Sequence, residues 1–324
     1  MIADDKNAGR FYCNFKVHKE HEHIPPPRPI TSGSGSLTEG IGRFVDHHIK
    51  HVATKHKSYL KETPDFLRCI EKINSGERLH PKAMAATWDV HGLFTNILHH
   101  EGLDAMNEAL ENRETKKVPT DFIVKLMELI LSNNIFEFHS SYWKQEVGAA
   151  MGSRPVPHYA DTFMAKIDKE IKKLSEKYNI DNIEAIQLFK RFLDDFFFIF
   201  VGSTKSLHLL LKEANKINPT IQFTMSHTSV ENENKEDQCD CEIKSSIPFL
   251  DTSVSIKEGK IDVDLYQKET DRNQYLLPSS CHSKTTTAAI PYSLALRIVR
   301  TCTDPNNRGK QFIELKKTSS RERL

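Results

Sequence analysis

Two adjacent carboxylates lie in the most apolar part of the chain. Asp194 and Asp195 stand between Phe192-Leu193 and the uninterrupted apolar run from Phe196 to Val201. Burying such a pair costs free energy unless a cation compensates the two charges. Mg2+ suits this position because it binds carboxylate oxygens and leaves places open for water and phosphate. An Asp-Asp pair alone is more often a surface turn or a helix cap, so other residues must decide between these interpretations.

A third carboxylate completes a set that could do phosphoryl chemistry. Asp89 ends the strand-like segment Thr87-Trp-Asp-Val90, just before a turn at Gly92. Three carboxylates at two strand ends can hold two ions about 4 Å apart, which suits in-line attack on a phosphorus atom. We therefore predict that Asp89, Asp194 and Asp195 are catalytic and bind two Mg2+ ions, with Mn2+ as a substitute.

The elements that position these residues follow from the periodicity of the sequence. The apolar runs around Asp194-Asp195 predict two buried strands joined at an acidic turn. Elsewhere, helical spacing predicts helices and β-prone runs predict strands. The predicted helices are 39–56, 101–112, 119–131, 157–178, 205–216 and a basic helix from 288; the further strands are 136–138, 142–143, 221–226, 247–256 and 260–266. Strands and helices around a central hairpin favour an α+β fold with an antiparallel sheet over a parallel doubly wound sheet.

Composition narrows the class of protein. With 324 residues, of which 38% are hydrophobic, the chain can bury a core. The net charge is only +1, but residues 16–61 hold eight Lys or Arg against four acids, and residues 297–324 hold eight against three. Such basic segments are typical of nucleic-acid contacts, although charge runs are usually ordinary solvated faces. The sequence shows no signal peptide and no apolar run long enough for a membrane span, so we expect an intracellular protein of the nucleus or cytoplasm.

Four segments together resemble the motifs of reverse transcriptases, in the order and with the spacing found in that family. Phe192-Leu-Asp-Asp195 resembles the aromatic-x-Asp-Asp box. Residues 89–97 are similar to the strand-turn motif that supplies the other metal-binding Asp. Residues 145–153 resemble the glycine-containing motif between these two, and Arg28-Pro-Ile30 resembles a motif of the fingers.

More narrowly, the chain resembles the reverse transcriptase of Penelope-like retroelements over about residues 11–302. The matching segments are Lys16-Val-His-Lys19, residues 28–33, 93–97, 150–152 and 247–251, Ser279-Ser-Cys-His282 and Ile290-Pro-Tyr-Ser293. The resemblance implies a right-hand fold of fingers, palm and thumb with an antiparallel palm sheet. Many members of that family also carry a C-terminal GIY-YIG endonuclease, which we expect to be lacking here. The expected division is fingers 1–86, palm 87–100, fingers 101–144, palm 145–268 and a truncated thumb 269–324.

The resemblance also implies roles for single residues. Arg28 would contact the incoming triphosphate, and Phe94 would act as a steric gate against a ribose 2′-OH. Gln145 and Gly148 would position template or nucleotide, and Lys16 and Lys19 would contact nucleic acid. The implied partners are an RNA template, a DNA primer and deoxynucleoside triphosphates (dNTPs), with no membrane and no obligate protein partner.

Three functions remain open from the sequence. The first is an active RNA-directed DNA polymerase, which the intact Asp89, Asp194 and Asp195 favour. The second is a catalytically inactive, truncated retroelement remnant that binds nucleic acid. The third is an unrelated two-metal phosphohydrolase, which would have no reason to carry Arg28 and Phe94 as well.

Overall fold

The computed structural model describes residues 8–16, 23–180, 182–229, 244–268, 276 and 280–322, with side chains up to residue 317. Strands and helices alternate along the chain, and the sheet of β3, β6, β7 and β8 is antiparallel, which confirms the predicted α+β class. The strands are β1 Gly9–Phe15, β2 Pro27–Thr31, β3 Ala83–Val90, β4 Ile135–Phe138, β5 Ser141–Lys144, β6 Ile186–Phe192, β7 Asp195–Val201, β8 Phe223–His227, β9 Ile247–Phe249, β10 Thr252–Lys257 and β11 Lys260–Leu265.

The helices mostly match the predicted segments. They are α1 Glu39–Ala53, α2 Thr63–Asn74, α3 Leu93–Asn96, α4 His99–Glu111, α5 Thr120–Ser132, α6 Val156–Ser175, α7 Thr204–Ala214, α8 Lys284–Thr301 and α9 Pro305–Glu322, with a 3-10 turn at Glu176–Tyr178. Among the described residues, no helix is both long enough and apolar enough to cross a bilayer.

The central sheet has the strand order β6-β7-β3-β8, and both of its faces are covered. Alternate residues of β7 divide between two cores because successive side chains of a strand point to opposite faces. Phe196, Phe198 and Phe200 join the first core, which α1, α4, α5, α6 and α7 complete. Phe197 and Ile199 join the second core. The apolar run that flanks the two aspartates is therefore a strand buried on both sides.

The second core lies between the central sheet and the smaller sheet β11-β10-β9, with α2 beside it. Phe66 of α2 contacts the rings of Phe197 and Phe249, with both centroid distances at 4.8 Å. Asp251 follows β9 and pairs with Arg297 of α8 at 2.9 Å. The small sheet thus connects the central sheet to the C-terminal helices.

Several elements differ from the sequence prediction, which also included neither β1 nor α3. The predicted strand 247–256 is two strands, because Leu250 adopts a positive φ of 54° and turns the chain between β9 and β10. The predicted basic helix is two helices, which meet between Thr301 and Pro305. The sequence prediction missed α2, although Phe66, Leu67, Ile70 and Ile73 pack against the second core at helical spacing.

A second four-stranded sheet, β2-β1-β4-β5, lies at the N-terminal end of the chain and combines residues from two separate segments. Just after β2, the backbone of the chain contacts the loop before α6. The Gly33 N–H donates to the Gly152 carbonyl at 3.1 Å. A Cβ on Gly152 would lie 2.2 Å from the Thr31 carbonyl oxygen, so only glycine fits here without a shift of backbone.

We predict that Gly152→Ala destabilises the protein by about 1–3 kcal/mol, the usual cost of overpacking, because its neighbour is backbone and cannot rotate away. Gly309→Ala is the matched control, since a Cβ there meets nothing within 4 Å. It lies inside α9, where alanine should stabilise by about 0.5–1 kcal/mol. Urea unfolding of the three proteins measures both effects. Equal free energies of unfolding for the two variants would contradict this contact.

Candidate active site

The two adjacent aspartates lie at a tight hairpin turn, as predicted. Phe192 of β6 pairs with Asp195 of β7, which leaves Leu193 and Asp194 as a two-residue turn. Leu193 has a φ of 54°, whereas Asp194 is not among the residues with positive φ. This combination is that of a type II′ turn, which ordinarily has glycine at the first central position. A leucine there costs on the order of 1–3 kcal/mol and persists only where its surroundings hold it.

Strand β3 brings the third aspartate to this turn. Asp89 pairs directly with Asp195 in the antiparallel ladder, so the two side chains lie on the same face of the sheet. The next residue, Val90, donates its N–H to the carbonyl of Asp194 at 3.1 Å. Asp89 is exposed, while Asp194 and Asp195 are half-buried. The structure therefore brings together the three aspartates that the sequence singled out.

The carboxylates border an open cavity of about 430 Å³. Asp89 and Asp195 line it on the side of the central sheet. Pro248, Phe249, Leu250, Tyr266 and Lys268 line it on the side of the small sheet. Tyr266 and Lys268 were not predicted as site residues, because they follow β11 and come close to the carboxylates only in the folded protein.

Burial and mutual repulsion both disfavour charge on the two adjacent aspartates. Burial raises the pKa of Asp194, and the charge of Asp89 raises it further, although a hydrogen bond from the Asp194 backbone N–H opposes the shift. The pKa of Asp195 is raised to about 7 by burial and by the charges of Asp194 and Asp89. A cation bound between these carboxylates would relieve this repulsion.

Hard oxygen donors are the ligands that Mg2+ prefers, so the donor chemistry of Asp89, Asp194 and Asp195 fits this ion. Within the described residues, however, no three His, Cys, Asp or Glu side chains are placed to hold a metal ion together. The case for a metal therefore rests on donor type, on the β3–β7 register and on the disfavoured charges, and not on a preformed cage.

Two of the predicted phosphate-binding residues lie near enough to influence the aspartates. Arg28, exposed on β2, counteracts the raised pKa of both Asp194 and Asp195, and Lys16 counteracts that of Asp194. Lys268 acts on Asp195 in the same way. Lys19 lies outside the described residues. Positive charge therefore faces the carboxylates from the N-terminal sheet and from the end of β11.

Phe94 and the segment around Gly148 are in direct contact through their backbones. Phe94 accepts a hydrogen bond at its carbonyl from the N–H of Ala149 at 2.7 Å. Gly148 has a φ of 74°, and a Cβ on it would lie 2.7 Å from the Phe94 carbonyl oxygen. His99 approaches the Gly148 carbonyl at 2.7 Å. The Phe94 ring is half-buried against the first core, so a core role remains open beside the proposed gate.

The Gln145 side chain makes hydrogen bonds that hold the loop in which it lies. Its side-chain oxygen accepts a hydrogen bond from Asn134 at 2.7 Å, and its side-chain nitrogen donates to the Val147 carbonyl at 2.8 Å. Both contacts hold the segment between β5 and Gly148. The predicted contact of Gln145 with template or nucleotide stays a prediction.

The raised pKa of Asp195 predicts how stability depends on pH without metal. An unfolded Asp titrates near pH 3.9, so between about pH 4 and 7 the folded protein holds more protons than the unfolded one. Stability should therefore fall as pH rises through this window. Asp195→Asn should make stability less dependent on pH in this window. It should also raise the Tm at pH 8 in EDTA, by about 2–4 °C for each kcal/mol of repulsion that it relieves.

The control for this prediction is Asp262, an aspartate whose pKa is shifted in the opposite direction. Although burial raises the pKa of Asp262, hydrogen bonds from Lys257 and Thr303 bring it below its usual value. Asp262→Asn should therefore lower the Tm at pH 8, and its effect should vanish toward low pH. A lower Tm for Asp195→Asn than for the wild type at pH 8 in EDTA would contradict the repulsion at the turn.

Comparison with known proteins gives no match by sequence: no family model and no curated protein matches the chain. Solved structures do match. The telomerase of Candida albicans, in complex with a TWJ fragment of telomeric RNA, superposes with a TM-score of 0.67 at 9% identity, over 98% of this chain and 55% of that one. The telomerase of Candida tropicalis in complex with such a fragment gives 0.57 at 10% identity, over 98% and 54%.

A viral enzyme also shares the fold. The RNA-dependent RNA polymerase of BmCPV at its elongation state superposes with a TM-score of 0.54 at 11% identity, over 97% of this chain and 26% of that one. The chain spans about half the length of the telomerases it matches. At these identities the likeness establishes the fold alone. The chain has the α+β right-hand fold that telomerases and viral RNA-dependent RNA polymerases share, as the sequence predicted.

Proposed function

We propose that the chain is an RNA-directed DNA polymerase of a Penelope-like retroelement, with Asp89, Asp194 and Asp195 as its catalytic residues. The observation that carries this proposal is the pairing of Asp89 with Asp195 beside the Asp194 turn, on the cavity side of a right-hand polymerase sheet. The assignment to Penelope-like elements is supported by the sequence motifs. The proposed substrates are dNTPs, a DNA primer and an RNA template.

The proposed division of the chain follows the family pattern. Residues 1–86 and 101–144 would form the fingers, residues 87–100 and 145–268 the palm, and residues 269–324 the thumb. The sheet β2-β1-β4-β5 supports this division because it joins strands of both proposed fingers segments. The contact between Gly33 and Gly152 would then fix the fingers on the palm.

In the proposed reaction, the primer 3′-OH attacks the α-phosphorus of a dNTP, and pyrophosphate leaves. Two bound Mg2+ ions would lower the pKa of the attacking hydroxyl and stabilise the leaving oxygen. The chain contributes the three carboxylates that hold these ions. The cavity beside Asp89 and Asp195 would receive the primer end, with Tyr266 and Lys268 along its opposite wall.

Residues other than the three aspartates would bind and select the substrate. Arg28 presents a planar guanidinium to the same region, which suits bidentate contact with phosphate oxygens. Lys16 and Lys19 would add charge for the triphosphate or the template backbone. Phe94 would press against the sugar, supported from behind by the 148–149 backbone that contacts its carbonyl.

The proposal predicts that Asp194→Asn abolishes nucleotide addition while the protein stays folded. Loss of one metal-binding carboxylate removes charge stabilisation that the transition state needs, which typically costs about 100-fold or more. Primer extension on a homopolymer RNA template with Mg2+ measures the loss.

The matched control is Asp121→Asn. Asp121 is exposed on α5 and pairs only loosely with Lys125 at 3.8 Å, so its neutralisation should leave extension unchanged. Normal extension by folded Asp194→Asn would refute the catalytic assignment. A wild-type protein that binds primer–template but does not extend it would favour the inactive remnant.

A second prediction concerns Phe94→Ala, which should admit ribonucleotides. Steric exclusion of this kind typically costs about 1–3 kcal/mol, or roughly a 5- to 150-fold preference for the deoxy sugar. The variant should lose this preference mainly by using ribonucleotides better. The measurement is kcat/KM for matched dNTP and rNTP pairs, together with a thermal melt.

Leu93→Ala is the control for packing, since Leu93 is buried next to Phe94 in the same short helix. It should lower the Tm, because a buried Leu→Ala change costs about 2–5 kcal/mol, and leave the sugar ratio unchanged. If Phe94→Ala behaves in the same way, Phe94 is a core residue and not a gate.

A further inference from the structure

Arg191 is a buried cation that the proposed mechanism does not use. It lies on β6, is 1% exposed and pairs across the hairpin with Phe196 of the first core. Its side chain therefore lies on the helix side of the sheet, opposite to the cavity. There it meets two buried carboxylates of α6, with Nε 3.1 Å from both oxygens of Asp168 and Nη1 2.7 Å from Asp161.

The same side chain reaches the hairpin turn. Arg191 Nη1 also donates to the carbonyl oxygen of Leu193 at 3.0 Å. In a trans peptide the carbonyl and the N–H point in opposite directions. Holding the Leu193 carbonyl toward the helices therefore points the N–H of Asp194 toward the cavity, where it donates to the Asp194 carboxylate.

The orientation of the peptide between the two central residues, here Leu193 and Asp194, distinguishes type I′ from type II′ hairpin turns. Types I′ and II′ differ by a flip of that peptide, and type I′ requires positive φ at both central residues. Leu193 has a positive φ and Asp194 has not, so the turn is of the II′ kind. Aspartate tolerates positive φ, so the flipped form is accessible to this sequence. The Arg191 bond favours the observed form because the flip would break it.

We propose that Arg191 is a positioning residue of the active site, which fixes the Leu193–Asp194 peptide and thereby the direction of the Asp194 carboxylate. The inference rests on the proposed function for its effect on catalysis. Arg191 itself touches no substrate, because the sheet separates it from the cavity. Its two α6 partners fix the guanidinium so that it cannot follow a flipped peptide.

The test is Arg191→Lys, which keeps the positive charge beside Asp161 and Asp168 but lacks the second arm of the guanidinium. We expect kcat for primer extension to fall about 10- to 100-fold, as small displacements in a catalytic site do, with the KM for dNTP unchanged. We also expect faster hydrogen exchange of the backbone amides at residues 193–195. The second measurement does not depend on activity.

Ser58→Ala is the matched control. The Ser58 hydroxyl donates to Asp168 at 2.5 Å and so belongs to the same buried network. The Ser58 backbone carbonyl, which accepts from the Arg191 N–H at 2.7 Å, is kept in the alanine variant. Loss of the hydroxyl should lower the Tm without changing kcat or exchange at the turn. In the Arg191→Lys background, Leu193→Gly should restore part of the lost kcat, because glycine at the first central position favours a type II′ turn and so the observed orientation of the peptide.

The proposal would be overturned if Arg191→Lys and Ser58→Ala lost kcat in the same proportion to their loss of Tm. Unchanged hydrogen exchange at the turn in Arg191→Lys would also overturn it. If Arg191→Lys does not fold, Asp161→Asn replaces it, because Asp161 holds the same Nη1. Failure of both variants to fold would make the network purely structural and would also overturn the proposal. If the wild type does not extend primers, the proposed polymerase function fails, while the exchange experiment still decides whether Arg191 fixes the turn.

Discussion

The constraint on which this structure depends is the placement of two adjacent carboxylates at the end of a hairpin that is buried on both faces. The turn between β6 and β7 has two residues, one of which, Leu193, adopts a backbone conformation unfavourable for leucine. Contacts on both sides hold it. Val90 binds the Asp194 carbonyl within the sheet, and Arg191 binds the Leu193 carbonyl from behind it.

The rest of the molecule holds this turn in place and sets the charges around its carboxylates. The helices of the first core and the small sheet of the second core cover the strands, so the hairpin cannot relax toward solvent. Asp89 adds a third negative charge in register with Asp195. Arg28, Lys16 and Lys268 place positive charge near the carboxylates, and among the described residues no ion pair neutralises them. This arrangement of charges is what the proposed binding of a cation and of phosphate requires.

The sequence predicted the parts of the fold that local patterns determine. The Asp-Asp turn between apolar strands, the Asp89 strand and the 136–143 hairpin all formed where the pattern placed them. The turn between β9 and β10 was not predicted, because the residue with positive φ there is Leu250 and not glycine or asparagine. Arg191 carries no signal either: a single arginine in a strand looks like a surface residue until α6 places Asp161 and Asp168 against it. Long-range contacts of this kind cannot be found from local patterns.

The most direct test of the central claim is a titration of the protein with Mn2+, followed by electron paramagnetic resonance, in the presence of a primer–template and a non-hydrolysable dNTP. We predict two bound ions per chain at pH 8 for the wild type, fewer at pH 5.5 because Asp195 is then protonated, and none at this site when Asp89, Asp194 and Asp195 are all replaced by Asn. The same number of bound ions in the wild type and the triple variant would contradict the account.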